Sequence, residues 1–170
     1  LSKGKPDLVL ELNQKISNNL KETASLVPVP NPDYEPSADG WEANKNATLE
    51  QVDDYLVVTA LGNDPHIRTT DFSKVTGKIS VEIRMRQENT SDVALYWGTK
   101  TNPGFSSKRL LIVPRIAFGV WRVDLNIEDE RLALIRIDPA QIAGEVKIDS
   151  IRLLQWTKPG EAKTVRLWDF

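Results

Sequence analysis

The stretch Lys78-Ile79-Ser80-Val81-Glu82-Ile83-Arg84-Met85-Arg86 alternates polar and apolar side chains without interruption. Successive side chains of a β-strand point to opposite faces, so this pattern predicts a strand that is buried on one face and solvated on the other. The interval of two favours a strand over a helix, whose apolar residues recur every three or four positions. The residues on the predicted buried face are Ile79, Val81, Ile83 and Met85.

Further short runs of strand-like sequence follow the same logic along the chain. They lie at residues 55–61, 93–98, 109–113, 120–125, 132–137, 146–154 and 164–168. Turn-forming residues separate them, among them Gly62-Asn63-Asp64-Pro65, Asn102-Pro103-Gly104, Asp138-Pro139 and Lys158-Pro159-Gly160. About eight to ten short strands without helical patterns between them predict a mainly β fold, an antiparallel β-sandwich of the jelly-roll kind, rather than a parallel α/β sheet.

The region ahead of these strands has a different period. From Pro6 to about Ala24 apolar residues recur every four positions, which predicts one amphipathic α-helix. The residues of its apolar stripe are Leu8, Leu12, Ile16 and Leu20. Prolines at positions 28, 30, 32 and 36 then predict an extended, Pro-rich connector. The predicted organisation is a helix within residues 1–25, a connector over 26–40 and a β-sandwich domain over 41–170.

Composition narrows the classes of function. The 170 residues carry 22 Lys and Arg against 24 Asp and Glu, a net charge of −2, so the chain lacks the basic excess typical of nucleic-acid binding. It has no cysteine and a single histidine, His66, which excludes thiolate chemistry and metal sites built from several histidines. No apolar run approaches the length of a membrane span. These features disfavour catalysis within this chain.

Two groups of motifs resemble known families. The sequence Leu20-Lys21-Glu22-Thr23-Ala24-Ser25, followed by Pro28-Val29-Pro30-Asn31-Pro32-Asp33-Tyr34, resembles the C-terminal tail of bacterial type I, formylglycine-dependent sulfatases. A second series is similar to the galactose-binding-like jelly-roll modules attached to bacterial sulfatases and glycoside hydrolases. Its motifs are Gly62–Ile67, Val81–Arg86, Leu95–Trp97, Ile135–Pro139 and Ile148–Leu153.

The sulfatase resemblance also shows what this chain lacks. Sulfatases form their formylglycine within a Cys/Ser-x-Pro-x-Arg motif, and this sequence has neither a cysteine nor a serine in that context. The resemblance therefore implies a non-catalytic C-terminal accessory region whose partner is its own upstream catalytic domain. It also implies an extracellular or periplasmic location, because sulfatases with such modules act on external polymers.

Two arginines are candidates for binding acidic carbohydrate. Arg84 and Arg86 share the polar face of the predicted strand with Lys78, Ser80 and Glu82. Guanidinium groups hold the oxygens of sulfate or uronate groups in pairs, so a binding surface on this face would suit such ligands. An ordinary solvated face produces the same alternation and remains the alternative.

A second set of candidates surrounds the loop at residues 98–107. Tyr96 and Trp97 precede this loop, and Lys108 and Arg109 follow it. An aromatic ring can cover the apolar face of a sugar while nearby polar groups bind its hydroxyls, so these four residues are further candidates for carbohydrate binding. For Trp97 the alternative to sugar binding is packing in the protein. Packing is also the role that we expect for Trp41, Trp121 and Trp156. Trp168 is expected to cover an open sheet edge.

The jelly-roll resemblance also implies a structural calcium ion. Candidate oxygen ligands beside predicted turns are Asp53, Asp138 and Asp149, and capping of those turns by the same carboxylates is the alternative. His66 lies in the turn Asp64-Pro65-His66 and is expected to pack or to lie at the surface, because no nucleophile stands at a recognisable spacing from it.

Three functions follow as hypotheses. The first is an accessory module that binds carbohydrate, with sulfated polysaccharide among the candidates. The second is a structural module for interdomain contact or oligomerisation, with no ligand of its own. The third, an autonomous hydrolase, would need two carboxylates at a defined separation, which a sequence does not give.

Overall fold

The alternating stretch around Val81 forms a long strand at the centre of one of two sheets. The computed structural model describes residues 34–36, 38–70, 72, 74–88, 91–128 and 130–170. The strands within these ranges are β1 (Tyr34–Pro36), β2 (Trp41–Asn44), β3 (Ala47–Val52), β4 (Tyr55–Ala60), β5 (Ile67–Thr69), β6 (Lys78–Gln87), β7 (Ala94–Thr99), β8 (Leu110–Ile112), β9 (Arg115–Ala117), β10 (Val120–Asn126), β11 (Leu132–Asp138), β12 (Gly144–Lys158) and β13 (Glu161–Asp169). Single turns of 3-10 helix occupy Ala38–Gly40 and Ser107–Arg109.

The strands form two antiparallel sheets. Sheet A has the order β1-β2-β5-β11-β7-β8, and sheet B has the order β3-β4-β12-β6-β10-β9, with β13 also paired to β12. Successive strands of the chain often belong to different sheets: β6 lies in sheet B, and β7 lies in sheet A. The prediction of an antiparallel β-sandwich is confirmed.

The longest strand, β12, joins three neighbours. Its first part, Gly144–Ile148, pairs with β4, and its later part, from Ser150 onward, pairs with β13 on the same edge. Its other edge pairs with β6, with a register shift between Ile148 and Ser150. The partner strand on this edge of β12 therefore changes from β4 to β13 half-way along β12, without a break in β12 itself.

The core lies between the two sheets and contains the predicted apolar face of β6. Ile79, Val81, Ile83 and Met85 belong to one buried cluster with side chains of both sheets. Trp41 of sheet A and Trp168 of sheet B meet there edge to face, with ring centroids 5.3 Å apart. Trp168 is 1% exposed, so it is a core residue and not the cover of an open edge.

Each strand that the sequence predicts is present in the structure, which also contains short strands that the sequence does not predict. Each run proposed from the sequence overlaps a strand. The sequence did not predict the short strands β2, β3, β5 and β9. Strand β1 pairs with β2 and falls inside the stretch predicted as connector.

The predicted helix lies outside the described residues, as does the first part of the connector, so the boundaries at residues 25 and 40 stay predictions. Within the described ranges, no helical segment has the length and apolar character needed to cross a membrane.

Candidate functional site

The outer face of sheet B carries a row of charges along β6 and its neighbouring strands, with one tryptophan near the start of β6. The odd-numbered apolar residues of β6 enter the core, so Lys78, Ser80, Glu82, Arg84 and Arg86 lie on its other face. The register places Glu82 between Arg122 of β10 and Arg152 of β12. We call this surface the cationic face; its members are Lys78, Glu82, Arg84, Arg86, Arg122, Asp124, Arg152 and Trp156.

Positive charge exceeds negative charge on the cationic face. It has five Lys or Arg side chains and two carboxylates, Glu82 and Asp124, on a chain whose net charge is −2. Buried Glu82 pairs with Arg152 and lies 3.8 Å from Arg84 Nε. On the same side of sheet B, Lys147 and Glu145 form a pair at 3.3 Å and so add no net charge, and Glu50 of β3, which pairs in register with Val57, adds one carboxylate beyond the cationic face.

Two of these cations contact aromatic rings and no carboxylate. Lys78 Nζ lies 5.8 Å from the ring centroid of Trp156, and the guanidinium carbon of Arg86 lies 5.2 Å from the ring centroid of Tyr55. Neither Lys78 nor Arg86 has a carboxylate within 4.0 Å in the part of the chain that the structure describes. Such contacts orient a cation without neutralising its charge.

Trp156 is the aromatic residue of the cationic face. Its Nε1 donates to Ser80 Oγ at 2.7 Å, and the guanidinium carbon of Arg122 lies 5.3 Å from its ring centroid. The ring lines a cavity of about 440 Å³ together with Lys78, Arg122, Asp124 and the β12–β13 turn. The sequence predicts a packing role for Trp156 and does not indicate this placement, because Trp156 lies beyond the alternating run at 146–154.

The other four predicted binding residues lie in or beside sheet A. The ring of Tyr96 is covered by the guanidinium of Arg136, whose carbon lies 4.6 Å from the ring centroid. Trp97 packs against the core, and its carbonyl oxygen accepts a hydrogen bond from Arg109 Nε at 3.1 Å. Lys108 lies in the 3-10 turn after the loop and is exposed. The structure therefore does not bring Tyr96, Trp97, Lys108 and Arg109 together with Arg84 and Arg86.

A buried arginine organises the outer face of sheet A. Arg136 is 7% exposed and donates to both carboxylate oxygens of Asp138, at 2.6 and 2.7 Å. It also pairs with Asp64 of the β4–β5 loop. The ring of Phe105, from the loop at 98–107, has its centroid 5.0 Å from the same guanidinium carbon. Burial works against the charged form, but the hydrogen bonds and charges of Asp138 and Asp64 raise the pKa of Arg136.

The histidine belongs to this buried cluster. His66 Nδ1 lies 3.0 Å from Asn44 Nδ2 and 3.1 Å from the carbonyl oxygen of Asp64. Burial, and then the nearby charge of Arg136, hold the pKa of His66 below its usual value. The expectation of a packing role for His66 agrees with its 5% exposure.

The predicted calcium ligands do not form a group. Asp138 is bound to Arg136, Asp53 stands in the β3–β4 turn with a φ of 52°, and Asp149 lies at the register shift of β12. Among the described residues no three His, Cys, Asp or Glu side chains are arranged to hold a metal ion. The site proposed from Asp53, Asp138 and Asp149 is therefore not present in this arrangement.

Comparison with known proteins gives structural likeness only. No protein-family model matches the chain, and no curated protein matches it. CBM86, a low affinity xylan binding module from the gut symbiont Roseburia intestinalis, has 7% sequence identity and a TM-score of 0.46 over 64% of this chain and 81% of its own. The apo structure of BiXyn10A CBM1 has 11% identity and a TM-score of 0.44 over 64% and 80%.

A third structure is CBM29_1, a family 29 carbohydrate binding module from Piromyces equi, with 15% identity and a TM-score of 0.38 over 68% of this chain and 83% of its own. Identities and TM-scores of this size do not support an inference about the ligand of this chain, which has to come from the residues above.

Proposed function

We propose that this chain binds an anionic polysaccharide, one that carries carboxylate or sulfate groups, on the cationic face of sheet B. One observation carries the proposal: five cations and two carboxylates lie along this face on a chain with a net negative charge, and two of the cations, Lys78 and Arg122, contact the Trp156 ring. Guanidinium groups bind carboxylate and sulfate oxygens in pairs, and an indole ring packs against the apolar face of a sugar.

The proposal includes the predicted residues Arg84 and Arg86. Arg86 and Lys78 are the best placed for an external anion, because neither has a carboxylate partner among the described residues. Arg84 and Arg152 share the single carboxylate of Glu82, which leaves part of their charge for a ligand.

The test is titration with three polymers: polygalacturonate, a sulfated galactan and a neutral galactan. We expect the two anionic polymers to bind, the neutral one to bind weakly, and the anionic binding to weaken at raised salt, since exposed charges are screened. The variant K78Q/R86Q should weaken anionic binding about tenfold or more, the factor that corresponds to roughly 1.4 kcal/mol.

Matched controls separate this face from general charge effects. K100Q and R131Q remove exposed cations elsewhere and should leave binding unchanged. Binding of no polymer, or equal losses in K78Q/R86Q and K100Q/R131Q, would contradict the proposal.

The proposal also includes three more specific points. The chain is the C-terminal region of a sulfatase, which we call its sulfatase parentage; its β-sandwich is a galactose-binding-like jelly roll; and the protein is located outside the cytoplasm. The parentage is supported by the motifs at residues 20–34, most of which lie outside the described residues. It predicts a formylglycine motif in a catalytic domain that precedes this chain, and sequencing the region upstream of Leu1 tests it. The location follows from the parentage, and cell fractionation tests it.

A further inference from the structure

A large cleft at one margin of the sandwich was not indicated by the sequence. We call it the edge cleft: a cavity of about 730 Å³ formed by the end of β6, the chain before β7 and the short strands β8 and β9. Small-molecule sites in proteins commonly have volumes of about 300–1,000 Å³. The residues that line the edge cleft are Met85, Arg86, Gln87, Ser91, Asp92, Val93, Ile112, Val113, Pro114, Arg115, Phe118, Gly119 and Trp121.

Arg115 is held in this cleft by aromatic rings. Its guanidinium carbon lies 5.0 Å from the ring centroid of Phe118 and 5.2 Å from that of Trp121. Its Nε donates to the carbonyl oxygen of Ala117 at 3.2 Å. The described residues place no carboxylate within 4.0 Å of Arg115 and give its remaining N–H groups no acceptor. The two rings therefore orient a guanidinium that lines the cleft.

The rim of the cleft presents an exposed aromatic ring. Phe118 is 93% exposed, whereas Trp121 is 7% exposed and forms part of the cleft floor. Phe118 and Gly119 make the turn between β9 and β10, where Gly119 has a φ of 69° and its carbonyl accepts a hydrogen bond from Met85 N at 3.0 Å. That bond connects the backbone of the turn to β6.

The charges of the cleft favour an anion. Arg86 and Arg115 contribute two positive charges, and Asp92 is the one carboxylate among the lining residues. Apolar and aromatic side chains make up the rest of the lining, apart from Gln87 and Ser91. A ligand that fits has one anionic group for Arg115 and an apolar surface for Phe118 and Trp121.

We propose that the edge cleft is a second binding site, which shares only Arg86 with the cationic face, for a single acidic sugar unit whose carboxylate or sulfate group pairs with Arg115 and whose ring packs against Phe118. The class of ligand rests on the proposed function, but the size of the ligand and the other residues differ. The cationic face would hold a polymer along β6, whereas the edge cleft would hold one unit.

The test is titration with galacturonic acid, galactose 6-sulfate and galactose, followed through the indole N–H resonance of Trp121. We expect one or both acidic sugars to shift this resonance and galactose to leave it unchanged. Comparison of the two acidic sugars tells which anion the cleft prefers. Variants R115Q and F118A should weaken this binding by about tenfold and by severalfold, respectively.

Controls of the same type are available elsewhere on the chain. R131Q removes an exposed arginine and L61A removes an exposed apolar side chain, and neither residue lines the cleft. K78Q should bind the acidic sugars as the parent chain does. A Trp121 resonance that no sugar shifts, equal binding of galactose, or unchanged binding in R115Q would each overturn the edge-cleft site.

The outcomes for the two sites are distinguishable. If polymers bind and respond to K78Q/R86Q while no sugar unit reaches Trp121, the edge cleft fails and the proposed function stands. If acidic sugar units bind through Arg115 while no polymer binds, the cationic face fails and the edge cleft stands.

Discussion

At the scale of single residues, the buried Arg136 shows how one charge can be accommodated inside a small sandwich. A buried guanidinium is unfavourable unless hydrogen bonds and opposite charges compensate it. Asp138 supplies two hydrogen bonds, Asp64 supplies a second carboxylate, and the rings of Tyr96 and Phe105 cover its faces. The same residue thereby connects a strand, the β4–β5 loop and the loop at 98–107.

His66 makes stability depend on pH. Its pKa in the folded chain is below the value of about 6.5 expected in the unfolded chain. The unfolded chain then binds more protons in the window just below that value, so the free energy of unfolding should decrease as pH is lowered from about 7.5 to about 5.5. Urea unfolding at several pH values measures this slope.

The single histidine makes the control simple. No other side chain has its usual pKa in this window, and burial raises the pKa of Asp138, which acts in the opposite sense because the folded chain then binds more protons as pH falls; the variant H66Q should therefore remove or reverse the slope, whatever it does to stability at neutral pH. A slope that persists in H66Q would contradict the assignment.

At the scale of elements, the loop after β7 depends on a glycine. A Cβ added at Gly98 would lie 2.8 Å from the carbonyl oxygen of Pro103, which is closer than such atoms approach. The loop folds back on β7 through hydrogen bonds between the backbones of Thr99 and Asn102 and through Arg109 to the carbonyl oxygen of Gly104. The close approach of Pro103 to residue 98 is therefore part of the native loop conformation, which requires a glycine at position 98.

Replacing that glycine tests the loop. G98A should lower the free energy of unfolding by about 1–3 kcal/mol, because the backbone of Pro103 must move to admit the methyl group. G104A, in the same loop, meets no atom within 4 Å and should change stability by about 0.5 kcal/mol or less. Chemical denaturation measures both, and equal effects would contradict the steric explanation.

The elements that the sequence predicted and those it missed differ in a physical way. β6 and β10 are long and have one face in the core, so their apolar and polar side chains must alternate and the pattern reveals them. β5 and β9 have three residues each, too few for a period to appear. They are strands because neighbouring strands pair with them, which is a property of the fold and not of the local sequence.

At the scale of the whole molecule, the candidate site shows the same limit. The sequence correctly grouped Arg84 and Arg86 with Lys78, since all three lie on one strand. The local pattern does not reveal that β6 and β7 belong to different sheets, so it did not show that the two sets of candidate residues lie apart. Trp156 and Arg122 join the cationic face through strand pairing over long sequence distances, which no local pattern encodes.

The contact between Trp41 and Trp168 joins the two sheets. Trp168 comes from sheet B, is almost fully buried, and also lies 6.2 Å from the ring of Phe72, centroid to centroid. W168A should therefore lower the free energy of unfolding by about 3–5 kcal/mol. W156A removes a half-buried indole from the outer face of sheet B and should cost clearly less; equal costs, measured by urea denaturation, would show that Trp168 has no special place in the core.

The shortness of β8 and β9 has a consequence for motion. Each contributes three residues at the margin of its sheet, whereas β6 is hydrogen-bonded on both sides along most of its length. Segments held by few backbone hydrogen bonds open most readily, and amide hydrogen exchange reports that opening. We therefore expect β8 and β9, which border the edge cleft, to open more often than β6. A bound ligand should slow hydrogen exchange at the amides of Ile112 and Ile116 and leave the protection of the β6 amides unchanged.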